Sequence, residues 1–194
     1  MENKANRRRI REKKTLIKVD VEELRKHGCN KYIIKHCKLV MKISERIVRE
    51  LKIANVIVDE MIVLRGAVLH DIGRSKEQSV RHGFWGGEIL RKDGYDRRII
   101  KVVENHVGGG IPKEEGPRLG LPRKDFIPNS LEEKIVCLAD KYVEDNQIKP
   151  LEETLKKLDE KLGKENLAKK RILKIKEELE SLIQKKIEFV IKEN

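Results

Sequence analysis

VLHDIG, residues 68–73, holds two kinds of residue that do not ordinarily share a location. Val68, Leu69 and Ile72 belong in an apolar core, yet His70 and Asp71 stand side by side among them. Taking an ionised aspartate out of water without a partner is costly. The stretch therefore requires a compensating positive group elsewhere in the chain.

The surroundings are helical. Apolar residues recur at three- and four-residue steps across 58–72, which carries this stretch. The same period runs through YIIKHCKLVMKISERIVRELK, where Ile33, Cys37, Val40, Met41, Ile47, Val48 and Leu51 form a stripe. It returns in 96–107 and in 131–144, the latter opened by Ser130 and Glu133 as a capping box. A shorter helix is expected from about Ser79, through HGFWGGEILRK, to a stop at Asp93-Gly94. No convincing alternating strand is found, so the fold class is all-α. Residues 108–130 hold five Gly and four Pro in 23 positions, which argues against a regular element and suits a lid or a surface loop.

After Pro150 the pattern changes. Leu151, Leu155, Leu158 and Leu162 mark one helix, Gly163 breaks it, and Ala168, Ile172, Ile175, Leu179, Leu182, Ile187, Val190 and Ile191 mark another. This C-terminal helical hairpin has no His or Cys, and its expected job is packing or oligomerisation, with a homodimer as one outcome. The organisation expected is a basic N-terminal arm at 1–20, a catalytic helical domain at 21–150 and the hairpin at 151–194.

Bulk composition narrows the classes. A 194-residue chain with 38% hydrophobic and 40% charged residues reads as a soluble globular protein without a transmembrane candidate. The opening MENKANRRRIREKK has no apolar core and is not a secretory signal, so the expected location is the cytoplasm. Cys29, Cys37 and Cys137 form no C-x-x-C pair and read as reduced thiols. The net charge of +12 is densest in residues 1–20, with eight basic and three acidic groups. Such an arm attracts phosphate polymers non-specifically. With 4% aromatic residues there is no stacking platform, and nucleic acid is not expected as the main ligand.

Four polar residues fall on inward positions of different helices. His36 lies three after Ile33 and four before Val40, and His70 lies three after Ala67. His106 is four after Val102, and Asp140 is four after Val136. With Asp71, three inward histidines and two inward aspartates on four helices form a donor set suited to a divalent cation, which would neutralise the buried charge. His27, in RKHG, has a plainer role as the last-turn residue before a glycine stop.

The order His36, His70-Asp71, Asp140 is an H…HD…D pattern, with 34 residues between the histidines and 69 between the aspartates. From about residue 30 to 146 the chain resembles the HD-domain metal-dependent phosphohydrolases. That likeness implies an all-helical domain in which these four residues bind a metal that activates water against phosphate esters. It also implies a second ion held by His82 and His106, with Asp71 bridging both as the central catalytic residue. EKIVCLAD, the HG at His82-Gly83 and the His before a glycine-containing loop are similar to HD-type diadenosine-tetraphosphate hydrolases. The loop pattern GGGI…LGLP…IP is similar to uncharacterised archaeal HD proteins, and the Gly-Tyr-Pro motif of the cyclic-dinucleotide branch is absent.

The chemistry so implied uses one or two divalent ions, of Fe, Mn, Co or a similar metal, and a metal-bound hydroxide. The expected substrate is a small phosphorylated molecule such as a nucleotide or dinucleoside polyphosphate. Arg74, Lys76 and Arg81, between the ligand positions, are candidates for holding its phosphate oxygens. Two other classes remain open: a dinuclear-iron oxygenase using the same ligands, and a non-catalytic helical interaction module.

Overall fold

The computed structural model describes residues 4–192. Helix α1 (Lys4–Lys26) ends before Gly28, whose φ of +84° is open to glycine at little cost. Helix α2 (Lys31–Ile53) starts at Asn30, whose side chain accepts from the Ile33 N–H at 3.0 Å and so caps the first turn. The buried stripe of α2 (Ile33, Cys37, Val40, Ile47 and Leu51) packs against α3 (Glu60–Leu69) and α6 (Leu131–Asp140). Helices α4 (His82–Lys92) and α5 (Arg97–Asn105) pack on one another, and α5 also meets α3 and α6. The result is the all-α bundle expected.

The expected arm at 1–20 and domain at 21–150 divide at a point inside α1, which is continuous through it. Asp20 is fully buried there. Its carboxylate accepts from Arg65 Nε and Nη2 at 2.7 and 2.8 Å and from the Tyr95 hydroxyl at 3.1 Å, tying α1 to α3 and to the turn before α5. This bidentate pairing compensates the buried charge. No described helix is long and apolar enough to cross a membrane.

Four helices stop earlier than their apolar period suggests, among them the second hairpin helix, expected to run on to Ile191 but interrupted after Ile183 by Gln184 at φ 54°. The helix expected over 58–72 ends at Leu69 and tightens into a 3₁₀ turn, Ile72–Ser75. The one expected over 96–107 ends at Asn105, and the one over 131–144 ends at Asp140. In these last three cases the chain stays buried after the helix breaks, so the hydrophobic pattern outlasts the helix. Beyond Asp140 a small antiparallel ribbon forms from β1 (Val143–Glu144) and β2 (Gln147–Ile148). Asp145 and Asn146 between them have φ of 49° and 57°, the left-handed pair that a two-residue hairpin needs and that Asp and Asn tolerate. Strands of two residues carry no readable alternation. The short helix expected from Ser79 begins instead at His82.

The 108–130 segment is more ordered than its composition suggested. It contains two 3₁₀ turns, at its start (Val107–Gly109) and at Gly116–Leu119, and a backbone bridge joins Ile111 to Phe126. Ile111, Leu121 and Phe126 form a small core of their own against Phe84 and Val107.

Helix α7 (Leu151–Leu162) is broken at Gly163, φ +86°, and followed by α8 (Leu167–Ile183) and α9 (Ile187–Val190). Ile172, Ile175, Leu179, Ile183, Ile187 and Val190 join the same core cluster as α2 and α6. Most of the hairpin's apolar stripe is thus covered from within the chain, while Leu162 and Leu182 remain exposed. Leu179 is fully buried, so Leu179→Ala should cost about 2–5 kcal/mol in urea unfolding. We expect one cooperative transition, because the hairpin shares the main core. A separate early transition would show that it unfolds on its own.

Candidate metal centre

Six side chains meet where the helices end. His70 is the residue after α3, His82 opens α4, His106 follows α5, and Asp140 closes α6, while His36 projects from the second turn of α2. His36 Nε2 lies 3.2 Å from His70 Nε2 and 2.9 Å from Asp140 Oδ1, with His70 Nε2 3.5 Å from the same oxygen. Asp71 Oδ2 is 3.7 Å from both imidazoles. The second group faces the other oxygen: Asp71 Oδ1 lies 3.1 Å from His82 Nε2 and 3.6 Å from His106 Nε2, and those nitrogens are 3.0 Å apart. Each carboxylate oxygen of Asp71 therefore addresses its own pair of histidines.

Three of the four rings are oriented alike. His70 Nδ1 donates to Ala67 O at 2.8 Å, His82 Nδ1 to Ser79 O at 2.6 Å and His106 Nδ1 to Val103 O at 2.7 Å. Each bond fixes a proton on Nδ1 and turns Nε2 inward, the orientation metal-ligating histidines favour. At the second pair these nitrogens confront each other, and the buried Asp71 Oδ1 beside them has no hydrogen-bond partner. Acceptors that converge without a donor repel unless a cation lies between them. Separations of 3.0–3.7 Å also suit ligands each about 2.0–2.2 Å from a shared ion. The residues present fit divalent cations.

Buried charge is compensated within the cluster, in part by a proton on His70. Burial opposes ionisation of Asp71, but the positive charge of the neighbouring His70 holds its carboxyl well below the usual range. Asp140 is likewise held low, against its burial, by Lys141, His36 and His70. Burial works against an imidazolium at His70, and the neighbouring Asp71 overcomes it, so His70 titrates well above the ordinary value. His106 is the opposite case, pushed down to about 3 by burial, and it stays a neutral donor at physiological pH. Two ionised carboxylates in a buried pocket make a field that favours positive charge.

The phosphate candidates separate. Arg74 Nε donates to Asp71 Oδ2 at 2.6 Å and lines the cavity beside the cluster. Arg81 does not: its guanidinium is bound to Glu77 at 2.6 and 2.9 Å. Lys76 sits 5.4 Å over the Trp85 ring and is also absent from the cavity wall. Both find nearer partners, Arg81 on its own segment and Lys76 on α4. Sequence reasoning missed Lys141, which is buried with Nζ 2.5 Å from Asp140 Oδ2 and 3.3 Å from His106 O. A lysine directly after an inward aspartate was the available signal. His27, set apart from this site, bonds Asp93 at 2.7 Å and Glu23 at 3.2 Å. All three cysteines are free and buried.

The HD domain family matches residues 33–145. The chain belongs to the HD-domain family. This HD-domain chain is 37% identical to the uncharacterized protein MJ0778 of Methanocaldococcus jannaschii, over 82% of its own length and 94% of the relative's. It is 38% identical to a tRNA (cytidine(56)-2'-O)-methyltransferase of Picrophilus torridus, covering 88% of this chain and 48% of that one. The corresponding methyltransferase of Thermoplasma volcanium is 40% identical over 60% of this chain and 33% of its own length. The chain thus spans half or less of those methyltransferases. Among solved structures, the HD domain of the L. monocytogenes phosphodiesterase PgpH, in complex with cyclic-di-AMP, aligns with a TM-score of 0.46 and 16% identity, over 78% of this chain and 88% of that one.

Gly73 of the HDIG motif has a structural reason of its own. A Cβ there would lie 1.9 Å from His82 O and 2.5 Å from Gly86 N, so the 3₁₀ turn after Asp71 rests directly on the backbone of α4. Gly73→Ala should lower stability by about 3 kcal/mol or more, since backbone has no rotamer with which to yield. It should also displace His82 from Asp71. Thermal unfolding and metal content of the variant check both, and a native-like melting temperature would refute the contact.

Proposed function

We propose that the protein is a metal-dependent phosphohydrolase, acting on a phosphate ester or anhydride of a nucleotide or dinucleoside polyphosphate. His36, His70, Asp71 and Asp140 would hold one divalent cation, and Asp71, His82 and His106 a second. The observation that carries this reading is the division of Asp71, whose two oxygens each face a separate pair of imidazoles. When bound, such ions supply Lewis acidity toward a phosphoryl oxygen and an activated water.

The chain's own residues would do the rest. The Nδ1 bonds to Ala67, Ser79 and Val103 lock three imidazoles, so little reorganisation is needed as charge develops. Lys141 and Arg74, beside Asp140 and Asp71, would meet the non-bridging oxygens of the phosphate. Burial disfavours the Lys141 ammonium, but Asp140 outweighs it and holds the group charged. The cavity in front, about 600 Å³, is of the size that small ligands occupy. No side-chain nucleophile is required.

A phosphate carried on RNA is the second reading. It draws on the relatives that are tRNA methyltransferases and on Arg7, Arg11, Lys14 and Lys18, which fall on one face of α1.

Metal counting tests the centre. Asp71→Ala should lose both ions, whereas His82→Ala or His106→Ala should each retain one. Equal loss in all three variants would rule out two sites sharing Asp71.

Turnover tests the reaction. Mn²⁺-, Fe²⁺- or Co²⁺-loaded protein, screened anaerobically in heavy-oxygen water against nucleotides, dinucleoside polyphosphates and terminally phosphorylated tRNA, should place the label in a phosphate-containing product. Activity that appears only on a non-phosphate substrate in air would replace the hydrolase with the oxygenase alternative. No activity on any phosphate ester or anhydride, with metal bound, would leave the interaction module.

A further inference from the structure

The cavity in front of the histidines has a wall that the HD-matching segment does not supply. That segment ends at residue 145, and beyond it Thr154, Lys157, Leu158, Lys161 and Leu162 of α7 and Arg171 of α8 line the same space as His36, His82, His106 and Asp140. The α7 positions follow the steps i, i+3, i+4, i+7 and i+8, one face of a helix. The hairpin turns a whole face, and not a stray side chain, toward the metal centre.

The chemistry of that face is selective. Lys157 and Lys161 are one turn apart; Lys157 is half exposed and paired with Glu144 on the same wall, the Lys161 side chain is exposed, and Arg171 is largely enclosed, with 21% of its side chain accessible. Arg171 Nε is buried without a hydrogen-bond partner, and its Nη1 stands 3.5 Å from Glu115 Oε1, at the limit of a hydrogen bond. Arg171 nevertheless lines the cavity, and with only this marginal bond at Nη1 the guanidinium keeps donors that an arriving anion would take up. The α8 helix that carries Arg171 is held firmly against the centre. Gly109, three residues after His106, approaches it so closely that a Cβ would meet Ile172 Cγ1 at 2.8 Å and Ala168 O at 3.0 Å. Around the mouth, Val80, Leu119 and Leu162 are 41%, 39% and 60% exposed, an apolar rim beside the cations.

We propose that the hairpin forms a second anion subsite, with Arg171 as its fork and Lys157 and Lys161 as its outer charges. It would select substrates that carry a further phosphoryl group beyond the one at the metal centre. This rests on the phosphohydrolase reading for the reacting phosphate and adds the requirement for a second anion. Arg74 and Lys141, beside the ligands, serve the first phosphate; the hairpin cations serve the next. A hairpin expected to pack or oligomerise thus gains a role in specificity.

The test uses inorganic probes of increasing reach: phosphate, pyrophosphate and tripolyphosphate, titrated by calorimetry into Mn²⁺-loaded full-length protein at fixed ionic strength. The wild type should bind one of the longer probes at least tenfold more tightly than phosphate. Arg171→Gln should remove most of that step while changing phosphate affinity less than twofold. Because Arg171 is partly enclosed, Lys161→Gln, at an exposed position, provides a second variant that leaves packing intact, and it should weaken the same probe several-fold. Arg171→Lys should restore only part of the step, since an ammonium lacks the fork.

No step between phosphate and the longer probes, or equal weakening of all three probes by Arg171→Gln, overturns the subsite. Failure of phosphate to bind, with Arg171-dependent pyrophosphate or tripolyphosphate binding retained, would count against the phosphohydrolase reading and leave the hairpin subsite standing.

Discussion

Asp71 is ionised, 3% exposed and set among Val68, Leu69 and Ile72, and much of the bundle's arrangement follows from accommodating it. Removing a carboxylate from water costs several kcal/mol even after relaxation. A single counter-charge would offset that at one oxygen. Here four imidazoles approach two oxygens, and Arg74 adds a bond at 2.6 Å to one of them. To bring them in, α3 must stop at Leu69, α4 must begin at His82 against the Gly73 turn, and α5 must end beside both. Gly66 permits the last of these, since a Cβ there would meet Val102 of α5 at 2.6 Å. The small residues of this region are explained by how closely the helices must approach to surround one carboxylate.

Much of this was legible in sequence, and for a physical reason. A polar residue on an apolar face is an anomaly that periodicity exposes, and His36, His70, His106 and Asp140 were each found that way. The structure brings them together with His82. His82 itself lies at a helix start, where no period runs, and only the likeness to a family pointed to it. Lys141 escaped because a lysine next to a helix end ordinarily reaches solvent; here its ammonium turns inward to Asp140 and the His106 carbonyl. Lys76 and Arg81 failed for the converse reason, since charge on a connecting segment finds its nearest partner, here Trp85 and Glu77. The hairpin's place on the cavity is a matter of tertiary docking across more than a hundred residues from His36, and local pattern carries no information about it.

The helix ends show the same limit from the other side. Around the site, periodicity overran α3, α5 and α6, each at its C-terminal end and each by two to four residues; the hairpin's second helix was overrun too, from Ile183 to Ile191, away from the ligands. The first three overruns contain or adjoin His70-Asp71, His106 and Asp140. The coincidence has a cause: a residue within a helix projects radially, whereas one at its end can be aimed by the departing chain. Ligands recruited from three helices to one point are most easily placed at their termini. The chain remains buried there because the site is buried, so the apolar signal continues where the helix does not.

That placement also carries charge. The C-terminus of a helix presents unpaired carbonyls equivalent to roughly half a negative charge, worth about 0.3–1 kcal/mol to a nearby cation. Ends of α3, α5 and α6 converge on the cluster, and the carbonyls of Ala67 in the last turn of α3 and Val103 in that of α5 are the ones that receive the Nδ1 protons of His70 and His106. One backbone feature therefore acts twice: it fixes which ring nitrogen is the donor atom, and it adds to the field that attracts positive charge. Only α4 presents its opposite pole, at His82, and there the ring proton goes instead to Ser79 O in the turn before the helix. Two aspartates, three helix ends and inward imidazole nitrogens all favour a cation, while the lysines and arginines of the cavity favour an anion. A site built to hold both signs in contact is suited to a metal with a phosphate bound against it.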